Sequence, residues 1–407
     1  MPSVPGPEHL VIPGPTPVPD RVRRALDRQS CDYLAPDFLQ AAETVFADLK
    51  RVFRTEGQVF VYASNGHGGW EAALVNTLSP GDRVLVPETG AFSESWREMA
   101  GNLGLAADKV PGDWRHAVDP DAVAAALAAD EARSVKAVLL VQVDTAASVL
   151  TDVAAVRRAM DAVGHPALLM VDTIASLATT EFRMDDWGVD VTVSSSQKGL
   201  MTPPGLGIVA AGPKALAASE QARLPRHFWS WRERQRPEPY RRHGGTAPMQ
   251  LIFALRAALD MLFEEGLDAA IARHARLAGA VRRAVEVWGE AGALSFNALL
   301  PHQRADSVTT VRLPEGFDGE AIRNEGRRLY NLTLGGGPGP LRGQVFRIGH
   351  MGHINETSIL GALATTELIL RGLGLPLGRG AVDAAIEALA PQVRTGDAEE
   401  DRRRRSG

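Results

Sequence analysis

The stretch Val189-Asp-Val-Thr-Val-Ser-Ser-Ser-Gln-Lys-Gly199 decides the fold. Its alternating Val/Thr run reads as a strand, and the run ends in three serines, a lysine and a glycine. A second apolar run, Ala167-Leu-Leu-Met-Val-Asp172, closes on an acid 26 positions before that lysine. Further strands are expected at Val59–Ala63, Asp82–Pro87, Val135–Val143 and Gly207–Ala211. Helical spacing fills the gaps: Arg21–Gln29 after Pro19, 37–54 with Phe38, Val45 and Leu49 near one face, Trp70–Leu78, Ser93–Leu103, and Asp152–Val163 capped by Thr151 or Asp152. This β-α-β-α order argues for an α/β fold with a mostly parallel sheet and helices on both faces.

From Pro248 to about His274 one long helical pattern reads as a connector into a smaller α+β unit. That unit is expected to hold the helix Arg276–Trp288, strands near Ser307–Arg312 and Val345–Ile348, and the helix Ser358–Leu370. The chain therefore divides into an extended, proline-rich segment at 1–20, a large domain at 21–265, a small C-terminal domain at 266–395 and a charged, disordered tail at 396–407. At 407 residues the chain is too long for one ordinary core. With 45% hydrophobic and 23% charged residues it reads as globular, and a net charge of −5 gives no overall pull toward nucleic acid or membrane. No apolar run is long enough to span a bilayer, and the start of the chain has no signal-like apolar stretch. The lone Cys31 excludes an internal disulfide and fits a reducing, cytoplasmic setting.

A lysine and an acid just past two strand ends lie where ligands bind in a sheet of this kind. Lys198 has small or apolar flanks, and partial desolvation would lower its pKa from ~10.4 and free the amine as nucleophile and base; the alternative is an ordinary surface lysine. Asp172 could merely cap the next turn, or it could hold a pyridine nitrogen protonated. At ~4 Å and an effective dielectric near 20, such a pair is worth roughly 4 kcal/mol before desolvation. Ser64-Asn-Gly-His-Gly-Gly69 follows a strand and opens a helix, so its backbone N–H groups can converge on a phosphate. Together the three features are what a pyridoxal phosphate site requires. Arg347, in the apolar strand Val345-Phe-Arg-Ile348, needs an anion: an internal acid or a substrate carboxylate.

Other features read as structural. His350, His353 and Glu356 recur every third position, but no fourth ligand accompanies them and no metal is expected. Arg223–Arg242 carries seven arginines among aromatic residues and reads as a surface or subunit-contact loop rather than a nucleic-acid site. The serines have no evident histidine–acid relay.

With these residues assembled, the chain resembles the class V, fold-type I aminotransferases, within them the serine–glyoxylate and alanine–glyoxylate group. The likeness rests on Ile12-Pro-Gly-Pro-Thr16, Gly66-His-Gly-Gly-Trp-Glu-Ala-Ala-Leu74, Leu78-Ser-Pro-Gly-Asp82, Val171-Asp172, Met184–Asp190, Ser196-Gln-Lys-Gly199, Pro203-Pro-Gly-Leu206 and Phe346–His350. The resemblance implies a large seven-stranded-type sheet domain, a smaller C-terminal domain and a homodimer with shared active sites. It makes Lys198 the Schiff-base lysine, Asp172 the pyridine partner, and Asn65, Gly66 and His67 the phosphate loop. Phe92 and Ile174 would lie on the two faces of the cofactor ring, with Thr145 and Gln197 nearby. His243 and Thr246 would reach the neighbouring subunit's phosphate. Arg347 would clamp the substrate carboxylate, and Tyr33 would stand near the entrance.

Where the family shows Glu-Thr/Ser-x-Thr-Gly, this chain has Asp144-Thr-Ala-Ala-Ser148. The implied reaction is ping-pong transfer of an amino group from a small amino acid to a small 2-oxo acid, glyoxylate first among them. Transamination of pyridoxamine with pyruvate, a lyase reaction, and a silent binding protein on the same fold are the alternatives.

Overall fold

The computed structural model describes residues 6–292 and 294–390. The tail expected at 396–407 and the first five residues lie outside that range. A seven-stranded sheet forms the larger body, in the order Gln58–Ala63, Leu206–Ala211, Val191–Ser195, Leu168–Asp172, Val135–Val141, Arg83–Pro87, Ala106–Val110. Only Leu206–Ala211 runs against its neighbours, pairing antiparallel with the strands on either side of it. The remaining neighbours are parallel.

All five residues of Val191–Ser195, and all five of Leu168–Asp172, are buried. Both faces of the sheet are covered, which is why these strands are apolar or small throughout and not polar at every second position. The two-residue period instead sorts side chains between two cores. Leu169, Val171, Ile208 and Leu140 pack toward Pro36–Phe53, Val153–Ala162 and Met249–Glu265. Met170, Val191, Val193 and Leu139 pack toward Gly66–Thr77 and Ala91–Asn102. Burial on this scale, at roughly 25 cal/mol per Å² of apolar surface, dominates the stability of the body.

A five-stranded sheet of order His9–Val11, Leu332–Gly336, Val345–Gly349, Val308–Arg312, Ser295–Phe296 forms the second body. Its core gathers Trp288, Phe346, Ile348 and Leu363. The strand His9–Val11 pairs parallel with Leu332–Leu334, so the start of the chain belongs to the sheet built from its end. No helix among the described residues is long and apolar enough to cross a membrane.

Several expected elements differ in extent. The connector expected as one pattern to His274 is two helices, Met249–Glu265 and Leu267–Gly289. Gly266 breaks them at φ +92°, a conformation open to glycine and strained for other residues. The strand expected to reach Val143 stops at Val141, and Val143–Asp144 turns into a hairpin with Val149–Leu150. The first helix ends at Leu26 rather than Gln29, and the helix expected from Trp70 already begins at Gly66. The arginine-rich stretch is only partly surface: Trp231 is buried and stacks on Phe60 at 5.2 Å, and the buried Arg234 donates to the carbonyls of Val61 and Phe228.

Candidate active site

Two neighbouring parallel strands build the site. Leu168–Asp172 delivers Asp172 at its carboxyl end, and Val191–Ser195 continues into Gln197 and Lys198. The Asp172 carboxylate is buried, accepting the Trp70 indole N–H on Oδ2 at 3.0 Å and the Ile174 N–H on Oδ1 at 2.6 Å. Burial pushes its carboxyl up to about 7, against the pull of those two donors. Burial pushes the Lys198 ammonium down to about 8, helped by the positive charge of Arg347 and opposed by Asp172. Asp172 and Lys198 each lie within the other's electrostatic reach.

Lys198 Nζ donates to the carbonyl of Pro13. The segment behind it is pinned by Thr16, whose N–H bonds Gln197 O at 3.1 Å and whose hydroxyl bonds Lys198 O at 3.2 Å. Any side chain at Gly14 would collide with that of Lys198. The proline-rich start of the chain thus lines the lysine as well as crossing the body.

The Gly-rich loop becomes the first turn of Gly66–Thr77. Asn65 caps it, Oδ1 accepting His67 N–H at 3.0 Å and Gly68 N–H at 3.4 Å. A Cβ on Gly66 would strike Ile174 Cδ1, so the turn lies directly over Ile174 and close to Ser195. The His67 ring leans on Trp70, 4.5 Å between centroids, and Phe92 meets the same indole at 6.4 Å. Asn65, Gly66, His67, Phe92, Ile174, Asp172 and Lys198 are therefore linked at the strand ends through Trp70, Ile174 and Asp172. Gln197 turns its amide oxygen back to the Ser195 hydroxyl.

Arg347 comes from the second sheet. Its Nη1 donates to Thr145 O at 2.8 Å, and its Nε finds no partner among the described residues. Burial lowers its pKa to about 10, with Asp144 supplying the main opposing charge. A buried guanidinium whose Nε has no partner calls for an anion by its own chemistry.

Three candidates lie elsewhere within the single chain. Tyr33 and His243 line a separate cavity of about 520 Å³ with Phe38, Phe46 and Arg242. His243 is buried against Phe38 and Phe46, its Nδ1 unpartnered among the described residues, and burial lowers its pKa to about 4. Thr246 is exposed beside that cavity. His350 bonds Asp306 O and Thr309, His353 is exposed and Glu356 pairs with Arg276, so these three do not converge. Trp70 and Asp144 carry contacts that sequence reading did not assign. The tryptophan stood in a quoted motif; its bond to Asp172 spans 102 positions and leaves no local trace.

The helix start capped by Asn65, the buried guanidinium with its unpartnered Nε, and the lysine–acid pair are groups that fit a phosphorylated aldehyde cofactor with an amino acid beside it. The aminotransferase class-V family model matches residues 14–324. An L-aspartate–glyoxylate aminotransferase of Paracoccus denitrificans is 42% identical over 93% of this chain and 95% of its own length. A serine–glyoxylate aminotransferase of Arabidopsis thaliana is 41% identical over 94% of each. The crystal structure of pyridoxamine–pyruvate aminotransferase from Mesorhizobium loti superposes with a TM-score of 0.86 at 28% identity, covering 95% of this chain and 98% of that one. The chain belongs to the class-V aminotransferase family.

Proposed function

We propose that this aminotransferase holds pyridoxal phosphate on Lys198 and moves an amino group from a small amino acid to glyoxylate. The observation that carries the reading is the meeting of a desolvated lysine and a buried, cation-seeking carboxylate on adjacent strand ends, under a helix N-terminus. When bound, the cofactor supplies an electron sink that acidifies the Cα–H of an attached amino acid. Asp172 would pair with the protonated ring nitrogen, and the start of Gly66–Thr77 would take the phosphate. Ile174 and Phe92 would confine the ring.

Lys198 then does the proton work. An amine with a pKa near 8 is neutral in a useful fraction at neutral pH, so Nζ can take the α-proton from one face and return it elsewhere. Arg347, whose buried Nε lacks a partner, would hold the substrate α-carboxylate and so place its Cα. The glyoxylate acceptor is supported by the names of relatives 41–42% identical to this chain. A homodimer is supported by the cavity that Tyr33 and His243 line apart from Lys198 and Asp172 within one chain, and by the exposed Leu34, Phe228 and Tyr240 near it.

The test is a half-reaction screen. Serine, alanine and aspartate are each added to the yellow protein while its visible band is followed, and glyoxylate is then added. Loss of the band with an amino acid and its return with glyoxylate supports the reading. A band that responds only to free pyridoxamine and pyruvate overturns it.

A further inference from the structure

The turn Asp144–Ser148, where this chain leaves the family pattern, holds the two sides of the site together. The Asp144 carboxylate is fully buried, and a Cβ on Gly90 would run into it. Its Oδ2 accepts the N–H groups of Phe92 at 2.9 Å and Ser93 at 3.3 Å, the first turn of Ala91–Asn102. Its Oδ1 accepts Ala146 N–H at 3.0 Å, and its carbonyl accepts Ser148 N–H at 2.8 Å.

Those two bonds fix the peptide planes of the turn, whose carbonyls point at the second sheet. Thr145 O takes Arg347 Nη1, Ala146 O takes the Thr310 hydroxyl at 3.2 Å, Ala147 O takes Asn297 Nδ2 at 2.9 Å, and Ser148 O takes Ala305 N–H at 3.1 Å. The Ser148 hydroxyl bonds that of Thr310. The chain thus runs from the backbone of the ring-facing Phe92, through one carboxylate, to the guanidinium.

We propose that Asp144 is a positioning residue: it sets the direction of the Thr145 carbonyl that anchors Arg347 Nη1, and so fixes the guanidinium that takes the substrate carboxylate, in register with Phe92. This rests on the cofactor and clamp reading above. Burial pushes the Asp144 carboxyl up to about 6, while the N–H groups of Ala146, Phe92 and Ser93 and the Arg347 charge hold it down; all three donors need an acceptor oxygen. An asparagine there offers one oxygen where two are used, and its NH₂ meets an N–H on one side.

The test uses the cofactor-loaded full chain and its Asp144→Asn variant. Inhibition by propionate, a carboxylate with no amino group, is measured beside kcat and KM for the amino donor. Cofactor content is read from the visible band. The expected result is propionate binding weakened about tenfold or more and KM raised in parallel, with a smaller change in kcat per bound cofactor; misdirecting one charge-assisted bond has that effect. Propionate affinity within twofold of the parent in the loaded fraction overturns the proposal, whatever happens to cofactor content. If Asp144→Asn does not fold, Thr310→Val decides. It removes the hydroxyl holding Ala146 O, and a threefold or greater loss of propionate affinity supports the proposal, while no loss overturns it. Arg347→Lys separates the two readings: if that change leaves propionate binding intact, the clamp itself falls, and if it weakens binding while Asp144→Asn does not, only the positioning role falls.

Discussion

Replacing Asp172 by asparagine separates what the carboxylate does for the cofactor from what it does to the empty fold. Moving a carboxyl from 3.8 to about 7 by burial corresponds to at most about 4 kcal/mol of native-state destabilisation at pH above 7. The sign follows from proton binding. The folded state keeps its proton to higher pH than the unfolded chain, so the parent loses stability as pH rises from about 4 to about 7 and then levels off. Asparagine has no such dependence. Its NH₂ would face the Trp70 indole N–H that now donates to Oδ2, an unsatisfied pair costing roughly 1–3 kcal/mol at every pH.

Cofactor-free Asp172→Asn should therefore be less stable than the parent at pH 4.5 and gain on it by about 2–4 kcal/mol by pH 8. Urea unfolding of both cofactor-free proteins at the two pH values measures this. With cofactor, the variant should lose about 10²–10³ in kcat, because an ion pair of roughly 4 kcal/mol to the ring nitrogen is gone. A stability difference between the two proteins that does not change with pH would refute the burial argument.

Two other substitutions test the geometry directly. Gly66→Ala drives a methyl into Ile174, so cofactor should leave at least tenfold more readily on dialysis while the unfolding midpoint of the cofactor-free protein moves little; full retention of the visible band would contradict the cup. Ser148 stands at φ +60° where the family pattern has glycine. Ser148→Ala keeps that backbone cost and loses the hydroxyl bond to Thr310, about 1–2 kcal/mol in urea unfolding, whereas Ser148→Gly loses the bond but relieves the backbone and should stay within about 1 kcal/mol of the parent. An alanine variant at least as stable as the glycine variant would contradict this.

The sheet was legible because buried parallel strands announce themselves as apolar runs, and Asp172 and Lys198 because they interrupt two of those runs at their ends. The edge strand Ala106–Val110 escaped notice for the converse reason: Asp108 and Lys109 sit in an exposed rim and break the apolar signal. Pro120–Ala128 is almost all alanine and small apolar residues, with little contrast between faces. Leu332–Gly336 ends in glycines that pack against Pro13, Arg347 and Arg323, a need that shows only in three dimensions.

In the site, residue types were legible but their pairings were not. Arg347 was expected to require an anion; that its one anchoring bond goes to a carbonyl 202 positions away is a property of the turn at Asp144. The departure at Asp144–Ser148 was visible as a mismatch, and its meaning emerged only once the carbonyls of Thr145 to Ser148 were seen to end on the second body. Tyr33 was expected near the substrate entrance, and His243 and Thr246 at the neighbouring subunit's phosphate; within one chain Tyr33 and His243 line a cavity of their own, with Thr246 exposed beside it.

The central claim is that Lys198 carries the cofactor as an imine. Borohydride reduction of the yellow protein, followed by proteolysis and mass spectrometry, tests it most directly. The account predicts one pyridoxyl-phosphate adduct, on the peptide containing Lys198, and none in Lys198→Ala. An adduct on another lysine, or a Lys198→Ala protein that still forms one, would contradict it.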